Sequence, residues 1–199
     1  MKALVGLGNP GPIYSLTRHN MGHMLVELCA ARRGVKFSPG KGDFLAGTAG
    51  ELWIVKTTCY MNISGVAVQQ FLAQSNMAPS DILVAYDDAA LPFGKLRLRP
   101  TGSPGGHHGM ESVIYCLGTE DIPRLRMGIG PLPEGVSLRD FVLSRFSEEE
   151  EGHLPRFLDA AARCVDAWLD DPERAPGRCG DYSLESGPEG GLSGPREKL

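Results

Sequence analysis

A chain of 199 residues that is 42% hydrophobic and 22% charged is one globular domain or at most two small ones, which excludes whole-chain disorder, a collagen-like repeat and a membrane class. No apolar run approaches the roughly 20 residues of a bilayer-spanning helix, and Met1-Lys2 leads into the strand-like Ala3-Leu4-Val5 without a signal-peptide core, so no membrane partner and a cytoplasmic address are expected. The net charge of −4 conceals +3 over residues 1–146 and −7 over 147–199; the acidic total does not exclude RNA, because local charge decides phosphate binding.

The first predicted strand is the apolar run from Ala3 to Leu7, which ends in the loop Gly8-Asn9-Pro10-Gly11-Pro12. From Asn20 onward, Met21, Met24, Leu25, Leu28 and Cys29 keep the i, i+3, i+4, i+7, i+8 spacing of an amphipathic helix that stops near Gly34, with His19 just before its first turn. Strands over 43–48 and 51–57 join near Gly50, and a turn from Thr58 to Asn62 leads to a helix over 64–75. Ile82-Leu83-Val84-Ala85-Tyr86 suits a central buried strand, and Asp87-Asp88 stand at its C-terminal end. Lys95-Leu96-Arg97-Leu98-Arg99 alternates at period 2, which sends the cations to one face and the leucines to the other. A Gly-, Pro- and His-rich loop occupies 102–109, a short helix 110–117, and Arg124 to Gly130 repeats the cation alternation on a further strand. Ser147 and Glu150 form a capping box ahead of an apolar stripe running from Leu154 to Trp168. Past Pro172 almost no apolar residue remains. The expected architecture is α/β: a single domain over residues 1–171 with a mixed twisted sheet flanked by helices, then a flexible, disordered C-terminal tail over 172–199.

Gly6-Leu7-Gly8-Asn9-Pro10-Gly11 matches the G-x-G-x-x-G dinucleotide fingerprint, but its context fails. Pro10 and Pro12 remove backbone donors, and the following helix starts about eight residues too late to meet a pyrophosphate. The five cysteines lie far apart and form no CxxC pair, so neither a disulfide framework nor a zinc site is expected. Most lone histidines are satisfied structural groups, and His23 and His153 read that way. His19 differs, because a helix start favours the neutral imidazole that a general base requires. His107 and His108 lack a third ligand at metal spacing and read as substrate contacts or a solvated pair. Asp87 and Asp88 are either a turn signal or site acids; period 2 admits one of them to a site. Lys95, Arg97 and Arg99, with Arg124 and Arg126, are either a charge-protected sheet edge or a phosphate platform.

Longer blocks carry a family resemblance. Val5-Gly6-Leu7-Gly8-Asn9-Pro10-Gly11, then Tyr14, then Thr17-Arg18-His19-Asn20 with Gly22, resemble the N-terminal signature of bacterial-type peptidyl-tRNA hydrolases. Four more blocks follow in order: Lys56-Thr57-Thr58-Cys59-Tyr60-Met61-Asn62-Ile63-Ser64-Gly65; Ile82 to Asp88 with Leu91-Pro92 and Gly94; Gly105-Gly106-His107-His108-Gly109; and Arg124-Leu125-Arg126-Met127-Gly128-Ile129-Gly130. The resemblance runs from residue 2 to about 170. It implies an enzyme that hydrolyses the ester between peptide and tRNA and frees the tRNA for reuse in translation. It further implies a monomer that acts on RNA and not DNA, without metal or organic cofactor. On the matched positions His19 activates water and Asp87 accepts its other ring N–H. Asn62 donates to the developing oxyanion, and Asn9 holds the terminal nucleotide or its ester neighbourhood. Tyr14, His107 and His108 contact substrate, and Arg99 and Arg126 grip a tRNA phosphate. Two positions depart from the pattern: His108 stands where the family usually has Asn, and Ala90 where many members have a further acid. A non-hydrolytic RNA-binding protein, resembling the family's chloroplast splicing branch, is the rival on this scaffold; the set His19, Asp87, Asn9 and Asn62 favours the enzyme.

Overall fold

Successive side chains of a strand point to opposite faces, and along Ala3-Leu4-Val5 both faces are buried: Leu4 joins one apolar core, Ala3 and Val5 another. Double burial is the mark of a central strand with helices on both sides, and the computed structural model, which describes residues 1–180 and 182–184, places it there. Strand β1 (Lys2–Gly6) runs between β4 (Leu52–Thr57) and β5 (Ile82–Pro92), parallel to both. Outside β4 lie β3 (Phe44–Ala49) and the two-residue β2 (Ser38–Pro39), both in antiparallel pairing. Outside β5, β7 (Arg124–Gly130) is parallel and the edge strand β6 (Leu96–Arg99) antiparallel, so the mixed seven-stranded sheet has the order β2-β3-β4-β1-β5-β7-β6.

One face is covered by α1 (Met21–Arg32), α4 (Leu138–Leu143), the long α5 (Glu148–Asp170) and α6 (Ala175–Gly180); the other is covered by α2 (Ser64–Ser75) and α3 (His108–Leu117). The capping box of Ser147 and Glu150 starts α5. The same Glu150 takes a two-pronged ion pair from buried Arg18, at 2.8 and 2.6 Å, which ties the short turn Arg18–Asn20 to this helix. Gly22 sets the height of α1 above the sheet. A Cβ there would stand 2.3 Å from the Ala85 carbonyl oxygen, and one at Gly6 would stand 2.3 Å from the Gly22 oxygen. Only this close approach lets the turn before α1 reach the end of β5.

The chain departs from expectation at its C-terminal side. Packed structure does not stop at 171: Ala175, Cys179 and Tyr182 are buried in the larger core, α6 lies on β6, and Leu184 fills the notch over Gly94. The physical reason is spacing rather than abundance, since 175, 179 and 182 form an i, i+4, i+7 stripe that a scarcity of apolar residues obscures. The remainder of the expected tail, 185–199, lies outside the described residues. Helix α4 was not anticipated either. Its start carries Ser137, whose hydroxyl accepts from the Asp140 N–H, immediately before Phe141-Val142-Leu143.

Candidate active site

A cleft of about 760 Å³ opens at the C-terminal ends of β1 and β5. Its floor is polar and buried. His19, in the turn before α1, directs Nδ1 at Asp87 of β5, 2.9 Å from one carboxylate oxygen and 3.0 Å from the other. His107, the residue that caps α3, brings Nε2 to the first of those oxygens at 3.1 Å, while the Met110 N–H donates to its Nδ1 at 3.0 Å. These contacts settle the protons. Because Nδ1 of His107 accepts, its hydrogen is on Nε2 and is donated to Asp87; because an ionised carboxylate only accepts, Nδ1 of His19 donates too. In the neutral ring His19 Nε2 is therefore the lone pair, and it has no partner among the described residues. His19, Asp87 and His107 also converge closely enough to surround a cation, but the cap on His107 keeps its Nε2 a donor, so this donor set does not fit a metal.

The electrostatics follow from burial and charge. Burial opposes a positive His19, yet the charge and hydrogen bond of Asp87 outweigh it and raise the imidazole above its ordinary value. Asp87 is fully enclosed, which by itself would raise its carboxyl; His19 and His107 reverse this and hold it well below the usual carboxylate range. His23 is the opposite case. Burial first, and then nearby Lys56, push it down to about 3, so it is a neutral structural ring whose Nε2 meets Thr57 Oγ1 at 3.2 Å.

Asn9 is fixed by a ring of hydrogen bonds. Its N–H donates to Asn20 Oδ1 at 2.9 Å, its carbonyl accepts from Asn20 Nδ2 at 3.0 Å, and its own Oδ1 accepts from the Met61 N–H at 2.8 Å. The amide NH2 of Asn9 is thereby left as a donor on the cleft wall. Asn62 and Tyr14 line the same cleft, with Tyr14 edge-on to Tyr60 at 6.5 Å between ring centres. His108 stands at the mouth, its side chain three-quarters exposed (76%) and its Nδ1 3.3 Å from Glu111.

The structure thus brings together His19, Asp87, Asn9, Asn62, Tyr14, His107 and His108, and leaves Arg99 and Arg126 outside the cleft on the face of β6 and β7. Two expectations change. His107 has both ring nitrogens engaged by protein, so it supports Asp87 and offers no nitrogen to a substrate. Arg124 is no part of a phosphate platform: it is buried, with its guanidinium donating to the carbonyls of Gly102, Ser103, Glu120 and Ile122, because the loop ahead of α3 folds over it. Period 2 identifies its face but not what covers that face. Sequence reasoning missed Asn20, which holds Asn9, and the wall formed by Leu132, Leu138, Arg139, Val142 and Leu143. The S-x-x-D spacing from Ser137 to Asp140 ahead of an apolar run was the available signal for that wall.

A histidine in the turn before a helix paired with an aspartate of the central sheet, with one imidazole nitrogen open to a cleft lined by amide donors, is the arrangement a hydrolase uses to deprotonate water beside a polarised carbonyl. The model of the family described as peptidyl-tRNA hydrolase matches residues 3–182. A peptidyl-tRNA hydrolase of Elusimicrobium minutum is 41% identical over 175 residues, which is 86% of this chain and 94% of that one. One from Methylacidiphilum infernorum is 50% identical over 156 residues, 78% of this chain and 84% of that protein. The crystal structure of the peptidyl-tRNA hydrolase from Acinetobacter baumannii superposes with a TM-score of 0.85 at 28% identity, covering 92% of this chain and 96% of that one. The chain belongs to the peptidyl-tRNA hydrolase family.

Proposed function

We propose that this protein hydrolyses the ester that joins a peptide to tRNA, with His19 as the general base. The observation that carries the reading is the His19–Asp87 contact, which fixes the tautomer whose neutral form has its lone pair on Nε2, facing the cleft. Water held at Nε2 loses its proton to the ring as it attacks the ester carbonyl, and Asp87 stabilises the imidazolium that forms. Asn9 and Asn62 supply amide donors for the ester and the developing oxyanion. The proton then passes from His19 to the departing ribose oxygen, which returns the ring to its starting state. Arg99 and Arg126 bind a phosphate of the tRNA body, away from the chemistry.

Membership of the family, together with an occupied His19–Asp87–Asn9 constellation, favours turnover over simple RNA binding. A single-turnover assay on peptidyl-tRNA decides between the two. Hydrolysis by the wild type and a loss of about 10²–10⁴-fold in His19→Ala, with tRNA still bound, is the expected result. Stable tRNA binding without turnover by the wild type would establish the rival.

A further inference from the structure

Asp88 is the neighbour of the site carboxylate and lines the same cleft, but it touches neither histidine and takes no part in the chemistry above. It is 7% exposed and held from two directions: Oδ1 accepts from the Ala90 N–H at 2.9 Å, and Oδ2 is paired with Arg126 through Nε. The first contact exists because the pairing of β5 with β7 slips between Asp88 and Pro92, turning the Ala90 N–H back on the carboxylate. The second contact is selective. An arginine presents five N–H donors, and Asp88 engages the inner one, while the four outer donors have no partner among the described residues. The outer end also has a defined place, since a Cβ on Gly105 would stand 3.7 Å from Arg126 Nη2. Arg97 is the cross-strand partner of Arg126, and Arg99 lies one pair further along the same face. Like charges opposite one another on a strand pair repel, and Arg99 is itself turned back, its Nη1 donating to the Leu98 carbonyl at 3.0 Å.

We propose that Asp88 is a positioning residue for phosphate recognition: by holding Arg126 at Nε it keeps the outer edge of that guanidinium beside Gly105, turned to share one phosphate with the cations of β6. This rests on the reading of Arg126 as a phosphate ligand. Asp88 also lowers the repulsion within the cluster at no cost in outer donors. A carboxylate that merely neutralised Arg126 would do the reverse of positioning, because it would compete with the phosphate.

The test is equilibrium binding of deacylated tRNA, measured as a function of salt, for the wild type, Asp88→Asn, Asp88→Ala, Arg126→Ala and Asp88→Ala/Arg126→Ala, with thermal melting of each. Asp88→Ala is expected to weaken binding about 5–10-fold and to flatten the salt slope by up to one counterion. The same change adds little in the Arg126→Ala background. Asp88→Asn keeps an oxygen acceptor for Nε and stays within about twofold of the wild type, and in steady state the Asp88→Ala loss falls on KM more than on kcat. Tighter binding by both Asp88 variants would overturn the proposal in favour of simple competition. A full additive loss on top of Arg126→Ala would overturn it by showing that Asp88 acts elsewhere. Wild-type binding by Arg126→Ala would instead remove the phosphate reading itself, which no result on Asp88 alone can do.

Discussion

Replacing Asp87 by asparagine tests the site at its most constrained point. The amide has one acceptor where the carboxylate has two, and one oxygen of Asp87 already receives both His19 and His107. If the amide oxygen keeps that shared place, the NH2 falls where the second oxygen now lies, 3.0 Å from His19 Nδ1. Two donors then face each other. The ring relieves this by moving its proton to Nε2, the nitrogen that must be free to act as base. Restoring the productive tautomer costs about 1.5–3 kcal/mol, the worth of a charge-assisted hydrogen bond. Losing the attraction between the carboxylate and the imidazolium costs about 4 kcal/mol for charges roughly 4 Å apart at an effective dielectric of about 20. The two overlap, because one carboxylate supplies both, so the rate should fall by about 10³–10⁴-fold.

The assay is single-turnover hydrolysis of peptidyl-tRNA across pH, which keeps product release from masking the chemistry. In the wild type the base form of His19 is lost as pH falls through a pKa above 6.5, because Asp87 raises it. In Asp87→Asn that support is gone, and the acid limb should move to lower pH as the rate drops. The limb is not unfolding. His19, with its raised value, contributes stability that is full below its unfolded pKa and lost as pH rises through the folded one. Asp87, with its depressed value, contributes stability that is present above its unfolded pKa and lost only as pH falls through a folded pKa lower still. Both favour the fold near pH 5, so circular dichroism there should be native while turnover is low. A variant within tenfold of the wild type, or an acid limb that stays in place, would refute the assignment.

Other substitutions separate the remaining roles. Arg99→Ala and Arg126→Ala should each weaken tRNA binding and reduce its salt slope by roughly one counterion, while a short ester without the tRNA body is cleaved much as before; equal losses on both substrates would reject a phosphate grip. His107→Asn can still accept from the Met110 N–H and should keep α3 capped, whereas His107→Ala should cost about 1 kcal/mol in melting and a further loss of rate as Asp87 loses a donor. Wild-type melting and wild-type rate in His107→Ala would show that neither contact matters. His108→Asn should raise single-turnover hydrolysis by about 2–10-fold, the worth of one hydrogen bond, because an amide offers a donor and an acceptor on one short group and has no contact with Glu111 to give up. A slower variant at every pH would mean that the imidazole is a positive feature of this site.

Local pattern was enough for the elements that bury one face at a regular period, form one continuous apolar run or carry a local cap signal. The strand at 82–86, the helices near 21–32 and 64–75, and the capping box at Ser147 are all legible in this way. What escaped depends on contacts between distant segments. Asp87 and His19 are 68 positions apart; the family resemblance implied their meeting, but the close approach at Gly6 and Gly22 that lets a helix touch a strand is encoded in no window of residues. The run of β5 beyond Asp88 was hidden because its register shifts there and the alternation breaks. Arg124 and Arg126 look identical in sequence, two apart on one strand; a loop folded over one and an acid placed beside the other give them opposite fates.

The segment that joins these fates is short. Gly105, beside Arg126, has φ +61° and Gly106 has φ +79°, conformations that side chains rarely adopt; the next residue is His107, which caps α3 and donates to Asp87. Asp87 and Asp88 are adjacent on β5, one paired with the histidines and the other with Arg126. Arg126 and the His19–Asp87 pair are therefore connected twice, through one peptide bond of a strand and through three residues of a tight loop. The strand connection is the stiff one, because Asp87 and Asp88 are both buried and both held by hydrogen bonds, while the two glycines let the loop make its tight turn between Arg126 and His107. On the proposed reading of Arg126 as a phosphate ligand and His19 as the base, a short connection between the two lets binding of the tRNA body help place the ester.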